Sequence, residues 1–238
     1  VVFVQLGSPS EPTTKALRKY LRKFLGDPRV VDINPWLWKI ILNFFVLPFR
    51  PSKSAKLYAR IWDGENFPLI TNTRDFTKNV SDELKKIDPE GYVEVNHAFL
   101  LSPPYVNEVY DSWEEDLKKG IGATKLLVIP MFPQYSESTI ASGIDALAKE
   151  LSKRVKIPTF EVITNFHRTH AFIDNSVCQV DKKLDELLNQ GKKIDNLIIT
   201  FHGMQKRRIV NKGDDYYRHC YETFCLITNK LKNIKPDQ

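Results

Sequence analysis

The sequence predicts an α/β protein built on a parallel sheet with helices on both faces. Three observations carry that expectation. Short strand-like runs alternate with helix-period segments five times along the 238 residues. The runs are apolar and β-branched, as strands covered by helices on both sides are. Each run ends in a segment of Gly, Pro, Ser or His, where open α/β sheets place their ligand sites.

The elements follow in order. "VVFVQL", residues 1 to 6, is the first strand and Gly7 closes it. In "EPTTKALRKYLRKFLG", Leu17, Tyr20, Leu21, Phe24 and Leu25 share one helical face. Ser8 and Glu11 suit a capping box, Pro12 a first turn and Gly26 a helix end. "YVEVNHAFL" (92–100) alternates like a strand, and Val106, Val109, Tyr110, Trp113 and Leu117 mark its helix. "KLLVIPMF" (125–132) precedes a helix with Ile140, Ile144, Leu147 and Leu151. "TFEVIT" (159–164) precedes a long helix through Leu188. "NLIIT" (196–200) is the fifth strand, followed by a helix through Tyr217, Tyr221 and Phe224. Between the first two strands, "INPWLWKIILNFFVLPF" (33–49) is an apolar run broken by Lys39 and Asn43 and closed by Pro48. It falls short of the roughly 20 apolar residues that span a bilayer. Either it is a half-buried helix, or it is a greasy lip that touches membrane or holds a large apolar ligand.

Composition excludes several classes. Hydrophobic residues make up 42% and charged residues 27%, which rules out a disordered chain and allows a real core. Cys178, Cys220 and Cys225 form neither a CxxC pair nor a disulfide framework, so a reducing compartment is expected. The net charge of +6 permits anionic partners: nucleic acid, acidic lipid or a polycarboxylate. Because the basic residues are spread through every helix, no nucleic-acid partner is expected. The chain opens directly in a strand-like run, without the basic, apolar and small-residue pattern of a signal peptide.

No GxGxxG, Walker lysine, GxSxG or HExxH motif is present, and Gly7-Ser8-Pro9 resembles a phosphate loop only weakly. Of the five histidines, His97 reads as a core or sheet-face residue, His167 and His170 as helix-entry residues, and His219 as solvent-facing on a helix. His202 differs. It stands at the end of the fifth strand beside Gly203, with Lys206, Arg207 and Arg208 close behind. A neutral imidazole is a base near pH 7 and a borderline metal ligand, so it suits proton abstraction and divalent iron alike.

"LGSPSEPT", "FLGDPRVVDI", "FPQYSEST" and "FHGMQKRRIVNKGDDYYRHC" occur in this order. Together they resemble the ferrochelatases, which insert ferrous iron into a porphyrin to make haem; the histidine motif is closest to bacterial members. The resemblance runs from the first residue to the last. It implies two similar doubly wound parallel-sheet subdomains with a porphyrin cleft between them. The first would be residues 1–150, with a porphyrin lip at 34–62; the second would begin at 151–238 and be incomplete. It also implies that His202 is catalytic, accepting pyrrole protons or binding the incoming metal. Leu6 would meet the porphyrin face, Tyr135 of the PQYS stretch would lie close to the cleft, and Arg50 and Lys53 would hold propionates. Tyr58 and Trp62 match the family's YxxIW-like stretch, and Tyr58 would bind the substrate. Fe2+ enters as substrate, with no organic cofactor and no iron–sulfur cluster. The expected setting is the cytoplasm, peripheral to the inner membrane through residues 34–49.

The chemistry gives a reason for this set. A porphyrin is a flat apolar disc with two carboxylates at one edge, so an aromatic and aliphatic lip buries the disc and cations hold the carboxylates. Metal insertion removes two pyrrole protons and bends the ring, tasks for a base on one face and a tight pocket. Protoporphyrin IX is expected ahead of coproporphyrin. Two rivals share the resemblance: a cobalt chelatase of the same architecture, and a porphyrin- or haem-binding homologue without turnover. The chain departs from the family where "AFLLSPP" (98–104) replaces a stretch like AMRYGNP, so that Leu100 and Leu101 stand for its arginine and tyrosine. Phe67 occupies a serine place. The family's C-terminal quarter, with its active-site glutamate, has no counterpart before Gln238, so the 238-residue chain alone is expected to be catalytically incompetent.

Overall fold

The computed structural model describes residues 1–234. Among them the chain forms two compact units: Val1–Met131 with Glu137–Thr164, and Phe132–Ser136 with the residues from Asn165 onward.

The first unit holds the sheet. Its strands are β1 (Val2–Gln5), β2 (Asn96–Phe99), β3 (Lys125–Pro130) and β4 (Thr159–Val162), all parallel in the order β2-β1-β3-β4. Val2 is in register with both Asn96 and Val128, which puts β1 at the centre. Side chains alternate across a strand, so Val2 and Val4 face one way and Phe3 the other. Val2 and Val4 join Ala98, Val128, Tyr110 of α5 (Val106–Lys118) and Leu147 and Leu151 of α6 (Ser142–Leu151) in the main core. Phe3 meets Phe76 of α4 (Pro68–Ile87) edge to face, with ring centroids 5.1 Å apart. Both faces are therefore covered, and the α/β class is the one the sequence predicts.

Helix α1 (Thr14–Leu25) buries Leu17, Tyr20, Leu21 and Leu25 as its spacing requires. Its cap is not Ser8. Thr13 takes that place, its hydroxyl accepting the Ala16 N–H at 3.3 Å while donating to Glu11 at 2.9 Å. Gly26 ends the helix as expected, its N–H reaching the Arg22 carbonyl at 3.1 Å. In α5 the Glu108 carboxylate accepts the Tyr105 N–H at 2.6 Å, satisfying a helix-start donor.

In the second unit, α7 (His170–Asn189) packs on α9 (Tyr216–Ile234) through Ile173, Val177 and Ile227, with α8 (Lys206–Lys212) between them in sequence. The expected fifth strand does not form: residues 192–205 are neither helix nor strand. Ile199 joins the α7–α9 cluster, yet Ile198 is 81% exposed. A strand exists only where neighbouring backbone satisfies its N–H and C=O groups, and no described strand lies beside "NLIIT". The described sheet therefore has four strands, and no second sheet forms among the described residues.

Candidate functional site

The lip is built in the first unit from α2 (Pro35–Ile41), a π-helical turn (Leu42–Val46) and α3 (Arg50–Tyr58). Asn34 caps α2 by accepting the Trp36 and Leu37 N–H groups. Leu42 and Leu47 turn inward onto Tyr20, Leu21 and Leu25, and the Trp38 indole donates to the Leu25 carbonyl at 2.6 Å. Those contacts leave a row outside. Trp36 is 80% exposed, and Leu37, Ile40, Phe44, Phe45 and Phe49 are exposed beside it. Arg50 and Lys53 stand exposed on α3. Tyr58, half-buried, meets Phe67 at 5.4 Å and Tyr20 at 6.2 Å between ring centroids. Burial first, and Tyr58 second, hold the Tyr20 phenol protonated far above its ordinary range.

Leu6 follows β1, and its carbonyl accepts the Leu101 N–H at 2.9 Å. Gly7 next to it takes φ +88°, and a Cβ there would come within 2.2 Å of the Ser102 hydroxyl. The Ser8 N–H donates to that same hydroxyl at 3.2 Å. The weak likeness to a phosphate loop is therefore not supported: the Ser8 amide is spent on Ser102.

In the second unit, His202 is exposed in the segment before α8, not at the end of a strand. It borders a hollow of about 370 Å³ walled by Phe201, Met204, Tyr216, Tyr217, Tyr221 and Phe224. Its backbone hydrogen-bonds Tyr216, whose phenol burial pushes up to about 12. Burial also raises the neighbouring Cys220 thiol. Gly203 is not sterically required: a Cβ there meets nothing within 4 Å. The basic run divides, with Lys206 and Arg207 exposed and Arg208 only 3% exposed. Among the described residues no group of three or more His, Cys, Asp or Glu could hold a metal ion.

The PQYS stretch belongs to the same unit. The Gln134 amide donates to Thr223 at 3.1 Å, and the Tyr135 N–H donates to His219 Nδ1 at 3.1 Å. His202 and Tyr135 thus both attach to the first half of α9. His219 is not solvent-facing but 4% exposed, stacked on His167 with centroids 3.9 Å apart. His167, three residues before α7, is 1% exposed and bonds Glu222 through Nε2 at 2.7 Å, while His170 opens α7 as expected. Sequence reasoning missed this pair because its members lie 52 residues apart and carry no local pattern. His97 is half-buried on β2, as expected for a sheet-face residue, with burial lowering its pKa.

A family model described as Ferrochelatase matches residues 1–238. The chain belongs to the ferrochelatase family. It is 38% identical over 231 residues to a ferrochelatase of Idiomarina loihiensis, covering 97% of this chain and 60% of that protein. It is 34% identical over 240 residues to a ferrochelatase of Francisella tularensis subsp. tularensis, and 36% identical over 231 residues to one of Actinobacillus pleuropneumoniae serotype 7. The chain spans 67% of the length of each of those two relatives. In this ferrochelatase-family chain the departing residues have packing roles. Leu100 lies against the main core, Leu101 against the α1 cluster, and Phe67 is 1% exposed between Tyr58 and Trp62.

Proposed function

We propose that the whole protein inserts ferrous iron into a porphyrin, protoporphyrin IX ahead of coproporphyrin, to form haem. The observation that carries this reading is His202 at the rim of an aromatic-walled hollow, within a ferrochelatase-family chain. Insertion exchanges two pyrrole protons for one divalent ion. His202 accepts a pyrrole proton or receives the incoming metal, and an exposed imidazole passes protons on to water. Tyr216, Tyr217 and Tyr221 offer flat faces to the macrocycle. Leu6, Tyr58 and Tyr135 are substrate-binding residues in this reading. Arg50 and Lys53, which enter no ion pair among the described residues, remain available to propionates.

The exposed row from Trp36 to Phe49, with Lys39, Arg50, Lys53 and Lys56 beside it, also supports peripheral contact with an anionic membrane surface from the cytoplasmic side. No described helix is long and apolar enough to cross a membrane.

The test is His202→Ala in the full-length protein, with iron or zinc insertion followed by fluorescence. Turnover is expected to fall roughly 10²-fold or more while porphyrin binding survives, and retained turnover within about tenfold sinks the assignment. Tight porphyrin binding by the wild type with no metallation favours a binding homologue. Preference for cobalt with a corrinoid precursor favours the cobalt chelatase.

A further inference from the structure

The core of the first unit holds a cavity of about 330 Å³ that shares no lining residue with the His202 hollow or the lip. We propose that this cavity binds a neutral apolar molecule of fused-ring size whose one hydrogen-bond acceptor is taken by the Tyr110 phenol. The inference does not rest on the chelatase reading, so its failure leaves that reading untouched.

The walls set the chemistry. The sheet contributes Val2, Val4 and Val128, α5 contributes Val109 and Tyr110, and α6 contributes Leu147. Protein interiors are close-packed and leave few voids larger than a water molecule. This cavity has roughly twice the 150 Å³ that admits benzene, at the lower end of the small-molecule range. It reaches the amino ends of the strands, where Glu94, Lys125 and Pro158 border it. Leu6 and Gly7 follow β1 at the other end of the sheet. The charged groups of the lining have partners within the chain. Lys125 pairs with Glu161 at 3.3 Å, Asp116 pairs with Lys119 at 3.3 Å, and Glu94 accepts the Asn96 side-chain amide at 2.7 Å. An ionised ligand would leave water without a counter-charge to meet it, so a neutral one is favoured.

Tyr110 supplies the polar group. It is 4% exposed, and its phenol oxygen has no hydrogen-bond partner among the described residues. Its ring is held by two neighbours. Trp113 lies edge to face with centroids 5.8 Å apart, and the Arg154 guanidinium stands 5.8 Å from the ring centre. Trp113 is tied in turn, its indole donating to the Ala123 carbonyl at 2.7 Å. Burial pushes the phenol up to about 12 against the opposing charge of Arg154, so it stands as a donor. An acceptor brought into the cavity would satisfy it.

α6 offers a way to close the space. Gly143 lines the cavity, and a Cβ there would meet only Val4 Cγ1, at an ordinary 3.9 Å. A side chain at this position is therefore accommodated and takes up cavity volume.

Acetylnaphthalene and ethylnaphthalene, substituted at the same ring position, have nearly the same shape, and only the ketone carries an acceptor. Each is titrated into the full-length protein and followed by the methyl NMR signals of Val2, Val4 and Leu147. The ketone is expected to shift those signals and to bind about threefold to tenfold more tightly than the hydrocarbon, the share of one hydrogen bond. Tyr110→Phe is expected to bring the two probes to equal affinity. Gly143→Leu is expected to abolish both, and Gly143→Ala, which adds only the Cβ, to keep both. Equal affinity of the two probes for the wild type, or a ketone preference that survives in Tyr110→Phe, overturns the proposal. So does the absence of any shift in those methyl signals, or binding that persists in Gly143→Leu. Should Gly143→Leu fail to fold, the two probes on the wild type and Tyr110→Phe decide alone.

Discussion

Gly7 shows how one residue fixes the end of the central strand. Its φ of +88° lies in the region that disfavours L side chains, and the Ser102 hydroxyl occupies the place of a Cβ. Gly7→Ala is expected to cost about 2–4 kcal/mol from backbone strain and overpacking together. Adding Ser102→Gly should relieve the clash with the hydroxyl and leave the strain and the tight approach to Phe99. Thermal unfolding of the two variants checks this, and an additive double mutant would disprove the clash. His219 makes a second residue-scale prediction. Its folded pKa is depressed, so the unfolded chain takes up a proton first as the pH falls. Its contribution to stability is therefore intact above pH 6.5 and lost below it. Denaturant midpoints of the wild type and His219→Asn should diverge on the acid side and run parallel above pH 7.

At the scale of elements, the lip divides into an anchor and a face. Leu42, Leu47 and the Trp38 indole hold it to α1, whereas Trp36 and Phe45 point outward. Large exposed side chains gain about 1.5–3 kcal/mol each on burial, here against porphyrin or lipid. Trp36→Ser with Phe45→Ser is expected to weaken porphyrin or anionic-vesicle binding at least tenfold with an unchanged melting temperature. Leu42→Ala should do the reverse, costing about 2–5 kcal/mol of stability as a core truncation. If the exposed pair lowers stability and leaves both associations intact, the segment is ordinary core.

At the scale of the whole chain, the second unit presents uncovered apolar surface. Leu197, Ile198, Phe201, Tyr217, Tyr221 and Phe224 are all exposed, and α9 buries the opposite side through His219, Cys220, Thr223 and Ile227. Exposed patches of this kind favour association. The 238-residue chain is expected to self-associate at micromolar concentration and to bind a hydrophobic dye. Ile198→Lys with Tyr221→Lys should reduce both, measured by sedimentation and dye fluorescence, and an unaffected monomer in the unsubstituted chain would refute the expectation.

By itself the sequence determined what local physics and a shared motif order can determine. Four of five strands and their helices were legible because apolar period and turn residues are local signals, and the family was legible in four motifs. Local reading failed where a partner decides. "NLIIT" has the composition of a strand, but strand formation depends on neighbouring backbone. The cap of α1 is Thr13 and not Ser8 because the helix begins only at Thr14, while the Ser8 amide goes to Ser102 across 94 residues. His219 read as solvent-facing from its helix alone. Only the tertiary structure stacked His167 on its ring and aimed the Tyr135 amide at it, since burial and hydrogen-bond partnership are properties of contacts distant in sequence.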